Sequence, residues 1–446
     1  MGCGDSKGLA AKEITINNSD NHEKRVQSVQ NKIIPQNLSK NAESKVEEKK
    51  LKKNTIILTE NNNSKNDINK VHENNEHKDK INLIYFSYFN SLMILFGKEF
   101  VKNNIDNIDL IINGKESKLV DRCISNKGNN IITMIIKNQL TDLSCMFFEY
   151  ASLCLKDISE LKYLDVSKTK NFSRMFVNLN LINIDFLQNW NVSNGVDFGK
   201  MFCYSELKDL KALENWDVSN CENFNGMFDG CSRLSDIEAL HNWNVSNCTN
   251  FNAMFQRCYD LTDISALKNW NVSKGINFNS MFRRCEKIKS FMPLKNWNVS
   301  NGKDFESMFE DCFSLNDSKI FEKWDVSSAN TLSHMFCGCL HLIEIDSLKN
   351  WDVSNCKNFY AMFDGCGSLL NLNPLQNWNV SNGINFRFMF YDCQIITNIL
   401  ALENWNVSKD ADLEGMFGNC YDLSDIKPIE KWNISKEQLK LITNGE

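Results

Sequence analysis

The sequence predicts an α/β repeat solenoid of about eleven coils, with a small N-terminal β cap and a disordered N-terminal tail. The first observation behind this prediction is a Met-Phe pair that recurs along the chain. The Met residues of these pairs are Met146, Met175, Met201, Met227, Met254, Met281, Met308, Met335, Met362, Met389 and Met416. The step is 27 residues from Met227 onward. A fixed period of this length is typical of stacked repeats.

The second observation is that all ten Trp residues follow the same period, in settings such as Asn-Trp-Asn-Val-Ser. They are Trp190, Trp216, Trp243, Trp270, Trp297, Trp324, Trp351, Trp378, Trp405 and Trp432. One coil has too little apolar surface to enclose itself, so the coils must stack and share a continuous core. The repeated Trp and Phe residues are therefore predicted to form buried ladders.

Each coil contains two different hydrophobic periods. Starting at Phe251, apolar residues fall at i, i+3, i+4 and i+7, which predicts a short helix ending near Cys258. Later in the same coil, Trp270 and Val272 alternate with polar residues, which predicts a short strand.

Proline is confined to one position of the coil. Pro293, Pro374 and Pro428 each lie four residues before a repeat Trp, where some other coils carry Ala, as at Ala239, Ala266 and Ala401. A position that accepts either residue needs no backbone N–H donor. It is predicted to be a turn or the first residue of a short helical turn.

One unit, residues 242–258, reads Asn-Trp-Asn-Val-Ser-Asn-Cys-Thr-Asn-Phe-Asn-Ala-Met-Phe-Gln-Arg-Cys. It resembles the BspA-like leucine-rich-repeat proteins, which are bacterial surface proteins and large protist families. Asn-Val-Ser stands here where that family usually has Asp-Thr-Ser. The resemblance implies a leucine-rich-repeat-like stack with a binding role. We place this solenoid at residues 141–435, followed by a C-terminal cap at 436–446.

The region before the repeats divides into two parts. Residues 1–80 are rich in Asn, Lys, Glu and Ser without sustained periodicity, which predicts a disordered tail. Residues 81–140 contain apolar, strand-like runs and are predicted to form a β-rich cap over the first coil. Within this cap, Asn113-Gly114 predicts a hairpin turn.

The N-terminus carries a localisation motif, Met-Gly-Cys-Gly-Asp-Ser. It fits myristoylation of Gly2, and the adjacent Cys3 could accept a palmitoyl chain. Two acyl chains hold a protein stably on a membrane, whereas one does so only marginally. One alternative is an ordinary cytosolic start. A bacterial lipoprotein is less favoured, because no charged and apolar leader precedes Cys3.

Eight cysteines also follow the 27-residue step and should form one stacked column. They are Cys231, Cys258, Cys285, Cys312, Cys339, Cys366, Cys393 and Cys420. A metal site or disulfides would be the functional interpretation, but no His and no Cys-x-x-Cys pair accompanies them. Buried, reduced thiols that act as small apolar residues are favoured.

The recurrent Asn-Val-Ser would be a glycosylation sequon in a secreted protein. Successive coils would place such sugars only about 5 Å apart, which is too close for every coil to carry one. We therefore interpret the Asn and Ser side chains as structural, with hydrogen bonds between coils.

Composition and motifs argue against catalysis and nucleic-acid binding. The six His residues lie in no nucleophile or metal motif, and no phosphate-binding Gly loop is present, so neither an enzyme nor a cofactor is predicted. Residues 1–80 hold 15 Lys and Arg against 12 Asp and Glu, and the remainder holds 35 against 44. The repeat body is thus acidic, which disfavours nucleic acid as a partner.

The candidate partner-binding residues form a small basic group in two neighbouring coils. They are Arg257, Arg283, Arg284 and Lys287. Arg257 and Arg284 occupy the same position of consecutive coils and are predicted to stack about 5 Å apart. The alternative is that Glu310 and Asp311, in the next coil, neutralise them as a solvated surface network.

Together these features predict a non-enzymatic leucine-rich-repeat scaffold that binds other proteins. It would be tethered by acyl chains to the cytoplasmic face of a membrane. The alternative is an exported BspA-like adhesin at the cell surface, which would require a signal segment upstream of this start.

Overall fold

An antiparallel sheet precedes the repeats in the computed structural model, which describes residues 79–148, 154–316 and 318–443. The strands are β1 (Lys80–Ser87), β2 (Leu92–Ile94), β3 (Ile108–Ile112), β4 (Lys115–Lys118), β5 (Arg122–Ile124), β6 (Gly128–Ile136) and β7 (Leu155–Asp157). Five of them form one sheet in the order β4-β3-β6-β1-β7, and β2 pairs with β5 in a second sheet.

The alternation of side chains in β1 sets which face of the larger sheet is buried. Ile81, Leu83 and Tyr85 point to the interior, with less buried residues between them. The predicted hairpin is confirmed: Asn113 and Gly114, with φ of 49° and 83°, connect the antiparallel strands β3 and β4.

The helix α1 (Lys98–Asn104) was not predicted from the sequence. Seven residues are too few to display a clear helical period. The helix begins directly after the apolar run of β2, and Phe100 packs on Phe96 with ring centroids 5.3 Å apart. Phe96 in turn lies 6.2 Å from Phe147 of the first Met-Phe pair, so the sheet region and the repeats share one core.

Backbone contacts also join the sheet region to the first coil. The Gly97 N–H donates to Met146 O at 3.1 Å. A Cβ atom at Gly97 would lie 2.2 Å from Cys145 O, so only glycine permits this approach. The Asn104 side chain donates to Asp142 O at 2.8 Å.

The remainder is a repeat solenoid, in which parallel bridges link one position of each coil to the next. The bridged residues are Asp142, Asn171, Asp197, Asn223, Asn250, Asn277, Asp304, Thr331, Asn358, Asn385 and Asp412. Regularly spaced 3₁₀-helices accompany them, at Ser159–Tyr163, Asp185–Leu187, Lys211–Leu213, Glu238–Leu240, Ser265–Asn269, Met292–Asn296, Ser318–Phe321, Asp346–Asn350, Asn373–Leu375, Leu400–Leu402 and Lys427–Lys431.

The helix predicted around the Met-Phe pair is wrong, because this segment consists of consecutive turns. Ala253 and Arg257 have φ of 52° and 58°, which an α-helix cannot contain. Alternate N–H groups point to the next coil: Ala253 donates to Asn279 O and Arg257 to Arg283 O, at 2.7 and 2.8 Å. The intervening N–H groups close turns within the coil. Apolar burial was nevertheless predicted correctly for this segment.

The strand predicted around Trp270 and Val272 is also wrong. Both side chains are buried as the alternation indicated, but the backbone bends. The Trp270 N–H donates to Leu267 O, and the Gly275 N–H donates to Val272 O. The intercoil bridge lies instead at the Asn that precedes the Phe of each turn segment.

The predicted aromatic core is confirmed. Every repeat Trp is between 2% and 5% exposed. Each Trp Nε1–H donates to a backbone carbonyl of the preceding coil; Trp297, for example, donates to Leu267 O at 3.0 Å. Phe rings stack along the axis, as between Phe255 and Phe282 at 5.9 Å. Burial of the ring therefore leaves no indole donor unsatisfied.

The hydrogen bonding predicted for the Asn-Val-Ser segments needs a correction. Asn271 Oδ1 accepts the Ser273 N–H of its own coil at 3.2 Å, which is an Asx turn. Asp217 makes the same turn, so Asn and Asp can interchange there. The hydrogen bond between coils is made instead by the residue that follows the Ser. Asn301 is one example: its side chain donates to Ser273 O of the preceding coil at 2.7 Å.

Two further features complete the fold. Pro293, Pro374 and Pro428 are each the second residue of a 3₁₀-helix, one position later than the first residue that was predicted but still within the first helical turn. The chain then forms the helix α2 (Lys436–Leu441), with a capping box between Ser435 and Gln438. In the described part of the chain, no helix is long and apolar enough to span a bilayer.

Candidate interaction face

The four residues that flank each Met-Phe pair, two before Met and two after Phe, lie on one face of the solenoid, which we call the turn face; most of their side chains are buried or half-buried. The Met and Phe residues are buried and recur in every coil, whereas their flanking residues change. The two residues after Phe are Asp229-Gly230, Gln256-Arg257, Arg283-Arg284 and Glu310-Asp311 in four successive coils. The fold thus requires a constant core and leaves this face free to vary.

Backbone conformation projects these variable residues in the same way from each coil. The residue before Met and the second residue after Phe both have φ near 55° to 60° in most coils. Glycine fills some of these positions, as at Gly226 and Gly365, but Arg257, His334 and Phe388 fill others. A side chain at such a position strains the backbone, so glycine would suffice if only the turn mattered.

Two of the predicted binding residues, Arg257 and Arg284, do not stack on each other. Arg257 reaches back along the solenoid to Asp229 Oδ1 at 3.4 Å and to the Tyr204 hydroxyl. Arg284 reaches forward to Asp311 Oδ2 at 3.1 Å. The two guanidinium groups therefore diverge, which reduces their repulsion.

The other two predicted residues are paired as well. Arg283 donates to Glu310 Oε1 at 2.6 Å, and Lys287 donates to Asp260 Oδ1 at 2.7 Å. Lys287 lies six residues after its Met and outside the turn face. The structure brings Arg257, Arg283 and Arg284 to one face, but carboxylates of adjacent coils alternate with these cations. The predicted alternative, in which Glu310 and Asp311 neutralise the arginines, therefore describes this face better than a basic patch does.

Some acidic groups of the turn face are removed from water. Burial raises the pKa of Asp229, although Arg257 acts in the opposite direction. Burial also raises the pKa of Glu306, and the nearby Asp304 adds to this effect. The Cys203 thiol lies 3.8 Å from Asp229 Oδ2, and burial raises the pKa of this thiol to about 12. The thiol is therefore protonated at neutral pH.

An aromatic cluster occupies the turn face further along the solenoid, and the sequence analysis missed it. The His334 and Tyr360 rings are 4.8 Å apart, and Tyr360 lies 6.0 Å from Phe388. Phe388 contacts Tyr391 at 5.2 Å, with the Arg387 guanidinium 4.7 Å from the Phe388 ring centroid. The sequence does contain a signal for this cluster, because His334, Tyr360 and Phe388 lie one or two residues before the repeat Met in three consecutive coils.

The remaining predicted site residues do not join this face. Gly2 and Cys3 lie outside the described residues. The cysteine column lies in the core, buried except for the partly buried Cys420. Each thiol donates to the backbone carbonyl of a Phe in the preceding coil; Cys285 Sγ, for example, lies 3.0 Å from Phe255 O. Among the described residues, no group of His, Cys, Asp and Glu is arranged to hold a metal ion.

Comparisons with known proteins point to one family. No curated protein and no solved structure matches the chain. One family model, described as a Mycoplasma protein of unknown function, DUF285, matches three times, over residues 141–263, 233–345 and 340–441. These matches run through about two thirds of the 446 residues and coincide with the repeats described above. The chain is accordingly a member of the DUF285 repeat family.

Proposed function

We propose that this protein is a non-enzymatic scaffold that binds other proteins through the turn face and is held on a membrane by N-terminal acyl chains. The observation that carries the proposal is the contrast between a constant core and a variable face in the same coils. Stacked repeats create an extended surface of this kind, which is suited to recognition of another polypeptide.

The chemistry of the turn face supports this role. Its ion pairs, such as Arg283 with Glu310, supply charges at fixed positions for orienting a partner. Its aromatic cluster is largely buried, with Phe388 9% and Tyr391 3% exposed, and it supports the Arg387 guanidinium, which is the more accessible group for a partner. Arg and aromatic side chains dominate the energetics of protein interfaces.

The finer assignment is a leucine-rich-repeat stack related to the BspA-like proteins. The eleven positions linked by parallel bridges support about eleven coils, and the recurring Trp, Met-Phe and Cys support the relation. The same resemblance favours a second candidate function, an exported adhesin at the cell surface. We prefer the cytoplasmic face of a membrane because Gly2 and Cys3 fit dual acylation.

A charge reversal can test the turn face without leaving a carboxylate unpaired. In the double variant Arg283→Glu with Glu310→Arg, the pair is retained but the sign at each position is exchanged. We expect this variant to lose the proteins that cross-link to the wild-type protein in its own cells. Like charges opposed across an interface disfavour binding.

The matched control reverses a second pair, Lys295 and Glu322, whose side chains lie 2.8 Å apart outside the turn face. Lys295→Glu with Glu322→Lys should retain the wild-type partners. Both variants are first compared with the wild type by chemical denaturation. If all three proteins are equally stable and cross-link to the same partners, the turn face is not the binding surface.

A further inference from the structure

Four large apolar side chains are exposed together at one end of the N-terminal sheet region. The exposed fractions are 57% for Tyr88, 75% for Phe89, 58% for Leu92 and 70% for Ile124. We call this group the tip patch. Leu92 of β2 lies directly opposite Ile124 of β5, so these two side chains are neighbours across the strand pair.

The loop that carries the tip patch is fixed by internal hydrogen bonds. The buried Ser125 hydroxyl lies 2.9 Å from Ser91 O and 3.2 Å from Phe89 O, and the Ser125 N–H donates to Ser91 O. Tyr88 meets Phe86 edge to face at 5.0 Å. The exposed rings are thus held in place at the surface by a structured support.

The surroundings of the tip patch are basic, in contrast to the acidic repeat body. Residues 86–97 and 122–130 contain Arg122 and Lys127 and not one acidic residue. Lys156 adds a third positive charge, with its Nζ 5.8 Å from the centroid of the Phe86 ring. Asp121 pairs with Arg122 at 2.7 Å, which leaves Lys127 and Lys156 as the main sources of positive potential.

We infer that the tip patch inserts into the interface of an anionic lipid bilayer. Aromatic and aliphatic side chains at the water–lipid boundary bury their apolar surface among the upper acyl chains. Adjacent Lys side chains are attracted to anionic headgroups. Apolar tips within a basic rim provide both contributions, whereas the acidic repeat body would be repelled by such a surface.

This inference rests on the proposed membrane role and deepens it, because it adds a second contact to the acyl chains. The described chain starts at Asp79, next to β1, and Tyr88 follows the other end of that strand. β1 spans about 25 Å at about 3.3 Å per residue. The segment from Gly2 to Asp79 has a contour length several times greater, so both contacts can reach one bilayer.

The test uses the full chain with Gly2→Ala, so that acylation does not contribute. Sedimentation with phosphatidylcholine vesicles, with and without phosphatidylserine, compares this protein with a form that also carries Phe89→Ser and Leu92→Ser. We expect binding to the phosphatidylserine vesicles, weakened by salt, and a loss of about tenfold or more in the tip-patch variant.

The matched control replaces two exposed leucines of the repeat body, Leu370→Ser with Leu400→Ser, and should bind vesicles like the Gly2→Ala protein. Equal binding by the tip-patch variant would overturn the inference. So would self-association that the tip-patch variant abolishes without vesicle binding, because the patch would then join two copies. In both cases the proposed acyl tether still holds if acylated protein sediments with membranes, so the two proposals can fail separately.

Discussion

At the residue scale, the repeated turn requires backbone conformations that most side chains disfavour. Ala253 and Ala361, with φ of 52° and 51°, occupy positions where Gly226 and Gly415 serve other coils. A non-glycine residue in this region costs about 1–2 kcal/mol relative to the right-handed conformation. Hydrogen bonds to the next coil, as from the Ala253 N–H to Asn279 O, hold the residue there.

The substitution Ala253→Gly should therefore leave stability unchanged or raise it by up to about 1 kcal/mol. The relief of strain offsets the greater backbone entropy of glycine in the unfolded chain. The control is Ala266→Gly, at an equally buried alanine of a 3₁₀-helix, which should destabilise by about 1 kcal/mol. Chemical denaturation measures both. Equal destabilisation in the two variants would contradict the assigned strain.

At the scale of the element, the cysteine column acts as an apolar ladder with weak donors. In the eight residues from Cys231 to Cys420, each Sγ lies 3.0–3.3 Å from a Phe carbonyl oxygen of the preceding coil. Burial raises the pKa of these thiols; for Cys420 it does so to about 12. They remain protonated and unreactive in the folded protein.

This column should make the protein sensitive to alkali. The pKa of a buried thiol such as Cys312 is higher in the folded protein than the unfolded value of 9.0. Its contribution to stability is therefore fully present below pH 9 and is lost as pH rises toward the folded-state pKa. Each buried thiol should lower the unfolding free energy by about 1.4 kcal/mol per pH unit in that window. Cys312→Ala should reduce the slope by this amount in denaturation series between about pH 9 and pH 11. An unchanged slope would show that Cys312 ionises equally in both states.

At the scale of the whole molecule, the solenoid needs a partner for the backbone donors at its last coil. Within the array, the Phe390 N–H donates to Met416 O of the next coil. At the C-terminal end, the Phe417 N–H donates instead to Ile442 O and the Gly415 N–H to Leu441 O, both at the end of α2. The closing helix thereby replaces a further coil and covers the open end.

The proposed acyl tether would act on the molecule as a whole. Gly2→Ala should move most of the protein from the membrane to the soluble fraction. The variant cannot carry the myristoyl chain, and a single remaining acyl chain would hold the protein only marginally. Cys3→Ser should leave one myristoyl chain and partial recovery on membranes. Cell fractionation measures both, and unchanged recovery in each would contradict the tether. Mass spectrometry of the native N-terminus then separates this protein from an exported adhesin, which would lack acylated Gly2.

The sequence alone determined the repeat, its core and several turns. The 27-residue step identified the solenoid, and the recurrence of Trp and Phe identified its buried ladders. The Asn113-Gly114 hairpin and the position of Pro293 also followed from local chemistry. These features could be predicted because each depends on residues close in sequence or on an exact period.

Only the tertiary structure decided the conformation within each coil and the layout of the turn face. The spacing of apolar residues from Phe251 to Cys258 indicates which side chains are buried. A helix and a series of turns bury the same positions, so this spacing does not distinguish them. Hydrogen bonds to the next coil select the turns. In the same way, Arg257 and Arg284 occupy equivalent positions but point apart, because carboxylates in different neighbouring coils attract them. Contacts between coils are not encoded in the period of one coil, so the sequence left these choices open.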